Sequence, residues 1–174
     1  MNLVVLGPQS TAVLKTMVEE RFAAVPDRDL SPDTIQQPLF SPGSLPMEVL
    51  VTPQRDIRKL EMVFPVAEAR LDWQAKPLHM LGDVLGHEGE GSLLQYLKRN
   101  GWADGLAAGA GLEYRGGSAF TISISLTEAG YAARDAVVEA VFQGINRIAA
   151  EGISRQRFDE QQQIAQIQFQ FKDK

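Results

Sequence analysis

The stretch from Leu106 to Leu126, "LAAGAGLEYRGGSAFTISISL", decides how the chain folds. Its second half is the cleanest period-two pattern in the protein: Phe120, Ile122, Ile124 and Leu126 alternate with Thr121, Ser123 and Ser125. Successive side chains of a strand point to opposite faces, so this run predicts a strand with one apolar and one polar face. Gly116-Gly117 supplies a turn of the kind that joins antiparallel strands. The first half, "LAAGAGLEY", is built mostly of small residues. Such a strand has few side chains to pack and leaves its backbone approachable. An extended peptide can add to an edge of that kind through main-chain bonds. Alternatively, the small residues let a helix pack closely against the sheet.

Working outward, Leu60–Val66 alternates Leu60, Met62, Phe64 and Val66 with Glu61, Val63 and Pro65. It reads as a strand whose Pro65 end lies at an edge or leaves the sheet. Leu3–Leu6 and Met47–Thr52 read as further short strands. Residues 27–46 carry Pro32, Pro38, Pro42 and Pro46 and read as a long loop. Ser10 caps a predicted helix from Thr11 to about Ala24, with Leu14, Met17, Val18 and Phe22 on one face. Pro77 suits a first helical turn, and Leu78, Leu81, Val84 and Leu85 follow with helical spacing. Ser92-Leu-Leu-Gln95 fits a capping box, opening a helix that carries Leu93, Leu94 and Leu97 inward and stops at Gly101. A long helix from about Glu128 to Glu151 buries Val138, Val141, Phe142, Ile145 and Ile148. Ser154 caps a last helix with Phe158, Ile164, Ile167 and Phe171 inward. The order β-α-β-β-α-β-β-α-α predicts an α+β layer, a mostly antiparallel sheet with helices on one face.

The bulk numbers narrow the function. A chain of 174 residues suits one domain with a real core. A net charge of −5 argues against a general nucleic-acid binder, which needs a basic face to release counterions. There is no cysteine, so disulfides, thiolate metal sites and cysteine catalysis are out. No apolar run approaches the roughly 18–20 residues of a membrane span. The chain begins directly on a strand and ends on a helix-like stretch without a stop signal. It therefore reads as one domain, residues 1–174, cut at both ends from a longer protein.

"HEGEGS", His87 to Ser92, is the stretch richest in chemical groups. Zinc needs three or four ligands, and this chain offers two histidines, His79 and His87, and no HExxH or HxxEH. Eight positions apart, they would stand about 80° apart around a helix. A phosphate loop would be repelled by Glu88 and Glu90 and lacks its lysine. Ser92 and His87 make no catalytic elbow, and Ser92 has a better role as a helix cap. The glycines then let the chain turn tightly between two helices. Phe158, Phe169, Phe171 and Trp102 read as core rather than as a stacking platform. Phe169 and Phe171, two apart, cannot share one helix face.

"LGHEGEGSLLQYLKRNGWADGLAAG", with "FTISISLTEAG", the opening "MNLVVLGPQS" and the terminal "FQFKDK", resembles the second domain of the insulinase/pitrilysin family of zinc metallopeptidases over nearly the whole chain. The resemblance implies the metallopeptidase LuxS/MPP-like fold. It implies a parent metalloendopeptidase whose four homologous domains enclose a chamber. In such enzymes the first domain holds zinc through HxxEH and a distal glutamate, and the second has lost that motif. This chain is then expected to bind no cofactor and to carry no catalytic residue. Its partners would be peptide substrates and the neighbouring domains of its own chain, with no nucleic acid.

In insulin-degrading relatives the second domain carries an exosite, where a peptide's N-terminal segment adds to an edge strand. The matching positions are Asp83, Gly86 and Glu88, then Leu106, Ala108 and Ala110. Gly86, Glu88 and Leu106 keep the residue type of those relatives. Asp83 replaces a histidine, Ala108 a glycine and Ala110 a glutamine. A backbone role survives those changes, and side-chain preference need not. Two alternatives stay open: a purely structural docking domain, and a processing or chaperone-like relative without peptidase activity. Relatives of pitrilysin type are periplasmic in bacteria, and animal relatives are largely cytosolic.

Overall fold

A computed structural model of the protein describes residues 3–172. By packing, the chain divides into two units, Met1–Asp33 and Thr34–Lys174. In the first, α1 (Thr11–Phe22) starts where expected, with the Ser10 hydroxyl accepting from the Val13 N–H at 3.5 Å. Leu14 and Val18 are half-buried, while Met17 and Phe22 stay exposed. Leu3–Leu6 forms no strand, and Val4 and Leu6 are almost fully exposed. An apolar run becomes a strand only with a ladder to join, and no partner for it lies among the described residues.

The second unit is built on β1 (Lys59–Val66), β2 (Ala103–Tyr114) and β3 (Gly117–Leu126), both pairings antiparallel in the order β1-β3-β2. Met47–Thr52 does not join this sheet; Met47, Val49, Leu50 and Val51 are exposed for the same want of a partner. Residues directly opposite on neighbouring strands share a face. Leu60, Met62 and Phe64 stand opposite Ile124, Ile122 and Phe120 on one side. Leu106, Ala108 and Ala110 stand opposite the same three on the other. This gives one continuous apolar face. Pro65 lies on β1, whose outer edge is unpaired among the described residues, as a residue without an N–H requires.

Helices cover that face: α2 (Pro77–Leu85), α3 (Leu93–Arg99), α4 (Glu128–Ala132) and α5 (Arg134–Glu151). Leu85, Leu94, Leu97, Val137 and Val141 join Phe120, Ile122 and Ile124 in one core. The expected α+β layer with helices on one face is what forms. The long helix expected over 128–151 is interrupted at Ala133, where φ is −101° and ψ 23°. The cause lies in α4. Thr127 donates to the Gly101 carbonyl at 2.6 Å and accepts from the Gly130 N–H at 2.9 Å, which ties this turn to the end of α3. Val141, Ile145 and Ile148 pack on the core as expected, while Val137 and Ala140 are buried beside them and Val138 is only half-buried. Phe142 lies half in solvent, edge-on to Phe64 at 6.1 Å.

The last helix, α6 (Arg155–Gln170), is capped by Ser154 as expected. Its apolar residues do not turn inward: Phe158, Ile164, Ile167 and Phe171 are all exposed. Phe169 is exposed too, while Trp102 packs against the core as expected. Among the described residues its main neighbour is α2, which leaves its apolar positions uncovered.

The turn between β2 and β3 is Arg115-Gly116, one residue earlier than expected, because Gly117 already pairs with Tyr114. Gly116 has φ +119°, and an added Cβ would strike the Ile35 carbonyl, so only glycine fits. Three long-range hydrogen bonds hold this hairpin end. Ile35 N–H donates to the Arg115 carbonyl at 2.8 Å. Gly116 N–H donates to a Glu68 carboxylate oxygen at 2.9 Å. Ala69 N–H donates to the buried Ser118 hydroxyl at 2.9 Å.

The other Glu68 oxygen accepts from Arg70 Nε at 2.9 Å. Arg70, then the Gly116 amide, hold the Glu68 carboxyl below its ordinary value near 4.5. A lowered carboxyl contributes stability above its ordinary range and loses it as pH falls through the lower folded value. The Gly116 amide shift should therefore hold steady above about pH 5 and move on acidification below the ordinary carboxyl range. Glu68→Gln should remove that titration; a persisting one would assign it to another carboxyl.

Candidate functional site

"HEGEGS" forms the link from α2 to α3. Gly86 ends α2, its N–H donating to the Gly82 carbonyl at 2.7 Å. The His87 ring folds back over Gly89, where a Cβ would require the ring to swing aside. Gly91 takes a positive φ of 75°. The Ser92 hydroxyl then accepts from the Gln95 N–H at 3.1 Å, and Gln95 Oε1 accepts in return from the Gly91 N–H at 2.8 Å. The reciprocal cap predicted by the sequence is formed, with the glutamine reaching one residue further back than in the usual box. Ser92 is thereby occupied as a cap.

His79 does not converge on His87 with further ligands. Its Nδ1 lies 3.3 Å from Asp83 Oδ2, one turn along α2. Among the described residues no three His, Asp or Glu side chains stand close enough to share a metal ion. The donor set that zinc requires is not assembled by these residues, and no zinc-dependent step can be derived from them.

The six positions singled out on α2 and the small-residue strand fall into two groups that the fold brings together. Gly82 and Gly86, one turn apart, set α2 against β2. A Cβ on Gly82 would lie 2.6 Å from the Ala108 carbonyl oxygen, and one on Gly86 would lie 3.8 Å from the Ala108 nitrogen. Helix backbone and strand backbone thus meet at Ala108. The small residues do let a helix pack closely, and they also leave the strand accessible beyond it. Ala110 is exposed, and so are Gly111, Leu112 and Glu113. β2 is paired only through β3 among the described residues, so its other edge is open.

Leu106 is buried, and its side chain belongs to the core, so any role at the edge falls to its backbone. Glu88 is exposed and forms no ion pair among the described residues, while Asp83 is partly covered and engaged by His79. Two irregularities bracket the regular part of β2, between Ala103 and Gly105 and between Ala110 and Glu113. Sequence reasoning missed Gly82 as the contact residue. The signal was present in "LGDVLG", two glycines four apart inside a helical pattern, which marks a close approach.

Comparison with known proteins identifies this architecture. Residues 1–165 match the family described as Peptidase M16 inactive domain. The chain belongs to that family. The inactive domain is 32% identical to the A-factor-processing enzyme of Saccharomyces cerevisiae over 172 residues, covering 99% of the chain and 17% of that protein. It is 33% identical to the insulin-degrading enzyme of Homo sapiens over 174 residues, covering all of the chain and 17% of that protein. The crystal structure of pitrilysin matches 95% of the chain with a TM-score of 0.79 at 23% identity, covering 18% of that chain. The inactive domain thus spans less than a fifth of the curated relatives it matches. Its relatives are insulinase- and pitrilysin-type metallopeptidases, and the α+β fold is theirs.

Proposed function

We propose that the chain is a non-catalytic, peptide-binding domain of a zinc metalloendopeptidase that degrades peptides, the zinc being held by another domain of the parent. One observation carries the reading. β2 has an open edge of small residues beside the end of α2, and Ala108 lies where the two backbones meet. Main-chain donors and acceptors on such an edge take an extended peptide with little demand on its sequence. Gly86 lies against the Ala108 nitrogen, and Glu88, exposed two residues on and without an ion pair among the described residues, offers a carboxylate to a free amino terminus. Anchoring one end of a peptide there would position the rest for cleavage elsewhere in the parent.

Exposed apolar positions on α6 and along Met47–Val51 support a second role for the same domain, docking against neighbouring domains of its own chain as part of a chamber wall. On this reading residues 1–174 are one domain of that longer peptidase.

A titration of the full 174-residue chain with an unstructured ten-residue peptide bearing a free amino terminus tests the proposal. Amide shifts should be confined to Gly86–Glu88 and Leu106–Glu113. Acetylating the peptide, or Glu88→Gln, should weaken binding about two- to fivefold, the scale of one exposed ion pair. Absence of shifts at millimolar peptide would leave only the docking role.

A further inference from the structure

The open edge of β2 is held very unevenly along its length. Its α2 end rests on the Gly82 and Gly86 contacts with Ala108. Its far end has no such support. The register shift between Ala110 and Glu113 leaves Gly111 and Leu112 without ladder partners on β3, and pairing resumes only at Glu113–Ser118 and Tyr114–Gly117. A two-pair ladder, packed only by the Tyr114 ring against Gly117, is a weak constraint. That end is also held by the hairpin turn beyond it, which is tied to Ile35 through the Arg115 carbonyl and to the chain after β1 through Ser118 and Glu68.

We propose that Glu68 is a positioning residue for peptide addition, setting the far half of the β2 edge, Gly111–Tyr114, in line with the half at Ala108. The proposal rests on the strand-addition reading above. Glu68 is placed for the role by its two oxygens. One accepts from the Gly116 amide at 2.9 Å and the other from Arg70 Nε at 2.9 Å, so the arginine holds the carboxylate that holds the turn. The Glu68 side chain is only 11% exposed, which limits competition by water. Arg70 and Arg115 are the charged groups that bear on it, and both favour its ionised form. The neighbouring bond from Ala69 to the buried Ser118 hydroxyl fixes the segment that carries Glu68. A peptide that pairs only near Ala108 does not use the far half. One that runs on to Glu113 does, over about 17–20 Å of strand.

The test compares two peptides on the full chain and on its Glu68→Ala and Glu68→Gln variants. An unstructured tetrapeptide with a free amino terminus reaches only the Ala108 end. A decapeptide of the same leading sequence reaches Glu113. Amide exchange at Glu113, Tyr114 and Gly116 reports the latch itself. Glu68→Ala should raise exchange at those amides and weaken the decapeptide at least threefold while leaving the tetrapeptide unchanged. Glu68→Gln keeps an acceptor for Gly116 and should lie between. Equal weakening of both peptides would show general destabilisation and overturn the positioning role. So would raised exchange with neither affinity changed. A native chain that binds neither peptide would instead remove the strand-addition reading, and the positioning role with it.

Discussion

Replacing Gly82 with alanine is expected to destabilise the chain by about 1–3 kcal/mol, the usual cost of forcing an atom into a filled contact. The sign makes the result diagnostic. In an open helix the same exchange stabilises by roughly 1 kcal/mol, because glycine is the poorer helix former. At Gly82 the added carbon would sit 2.6 Å from the Ala108 carbonyl oxygen and 3.0 Å from the Gly109 Cα. Both are backbone atoms of a paired strand and cannot swing aside. α2 must lift away from β2, and Leu85, which it carries into the core, must move with it. Urea unfolding read by circular dichroism measures the cost, and the Ala108 and Gly109 amide shifts report the displacement. A variant more stable than the native chain would mean that α2 does not rest on β2.

Leu97→Ala should cost more, about 2–5 kcal/mol, as for other leucines truncated in a closed core. Leu97 is fully buried on α3 and belongs to the core shared with β3 and α5. The helix is only seven residues long, too short to hold its shape without packing. Its anchors are Leu94 and Leu97 together with the Ser92 cap, so removing one leucine leaves a cavity under a segment with little else to keep it in place. At roughly 2–4 °C per kcal/mol for a chain of this size, the melting temperature should fall by about 5–20 °C. A loss under about 1 kcal/mol would show that α3 collapses into the gap at little cost.

What the sequence disclosed and what it hid follow from the range of the forces involved. The β2–β3 hairpin, the Ser92 cap and the faces of α2 and α3 are local: each is written in residues within about one turn or one strand pair, and each was legible. The apolar runs Leu3–Leu6 and Met47–Thr52 have the composition of strands, but a strand is defined by its partner, and composition does not name one. α6 shows the same limit. Apolar side chains usually turn inward, yet its Phe158, Ile164 and Ile167 are exposed, uncovered by the described residues. The helix over 128–151 is interrupted where Thr127, which accepts from the Gly130 N–H, bonds back to the Gly101 carbonyl at the end of α3, a contact across more than twenty residues that no window reveals. The six candidate site positions were suggested by resemblance to a family. Glu68 was not, since a carboxylate that reaches an amide 48 positions away leaves no mark on its neighbours.

The spare composition of β2 bears on a hazard common to every open sheet edge. An unpaired strand offers its amides to any passing chain, including a second copy of itself, and flat, greasy edges of this kind seed aggregation. From Gly105 to Ala110, β2 carries only glycine and alanine apart from the buried Leu106, residues with little tendency to form intermolecular sheets. A bulge at either end keeps the regular run to six residues, too short a template for a stacked assembly to gain much from. The edge can stay unpaired because two copies of it would gain little by joining each other.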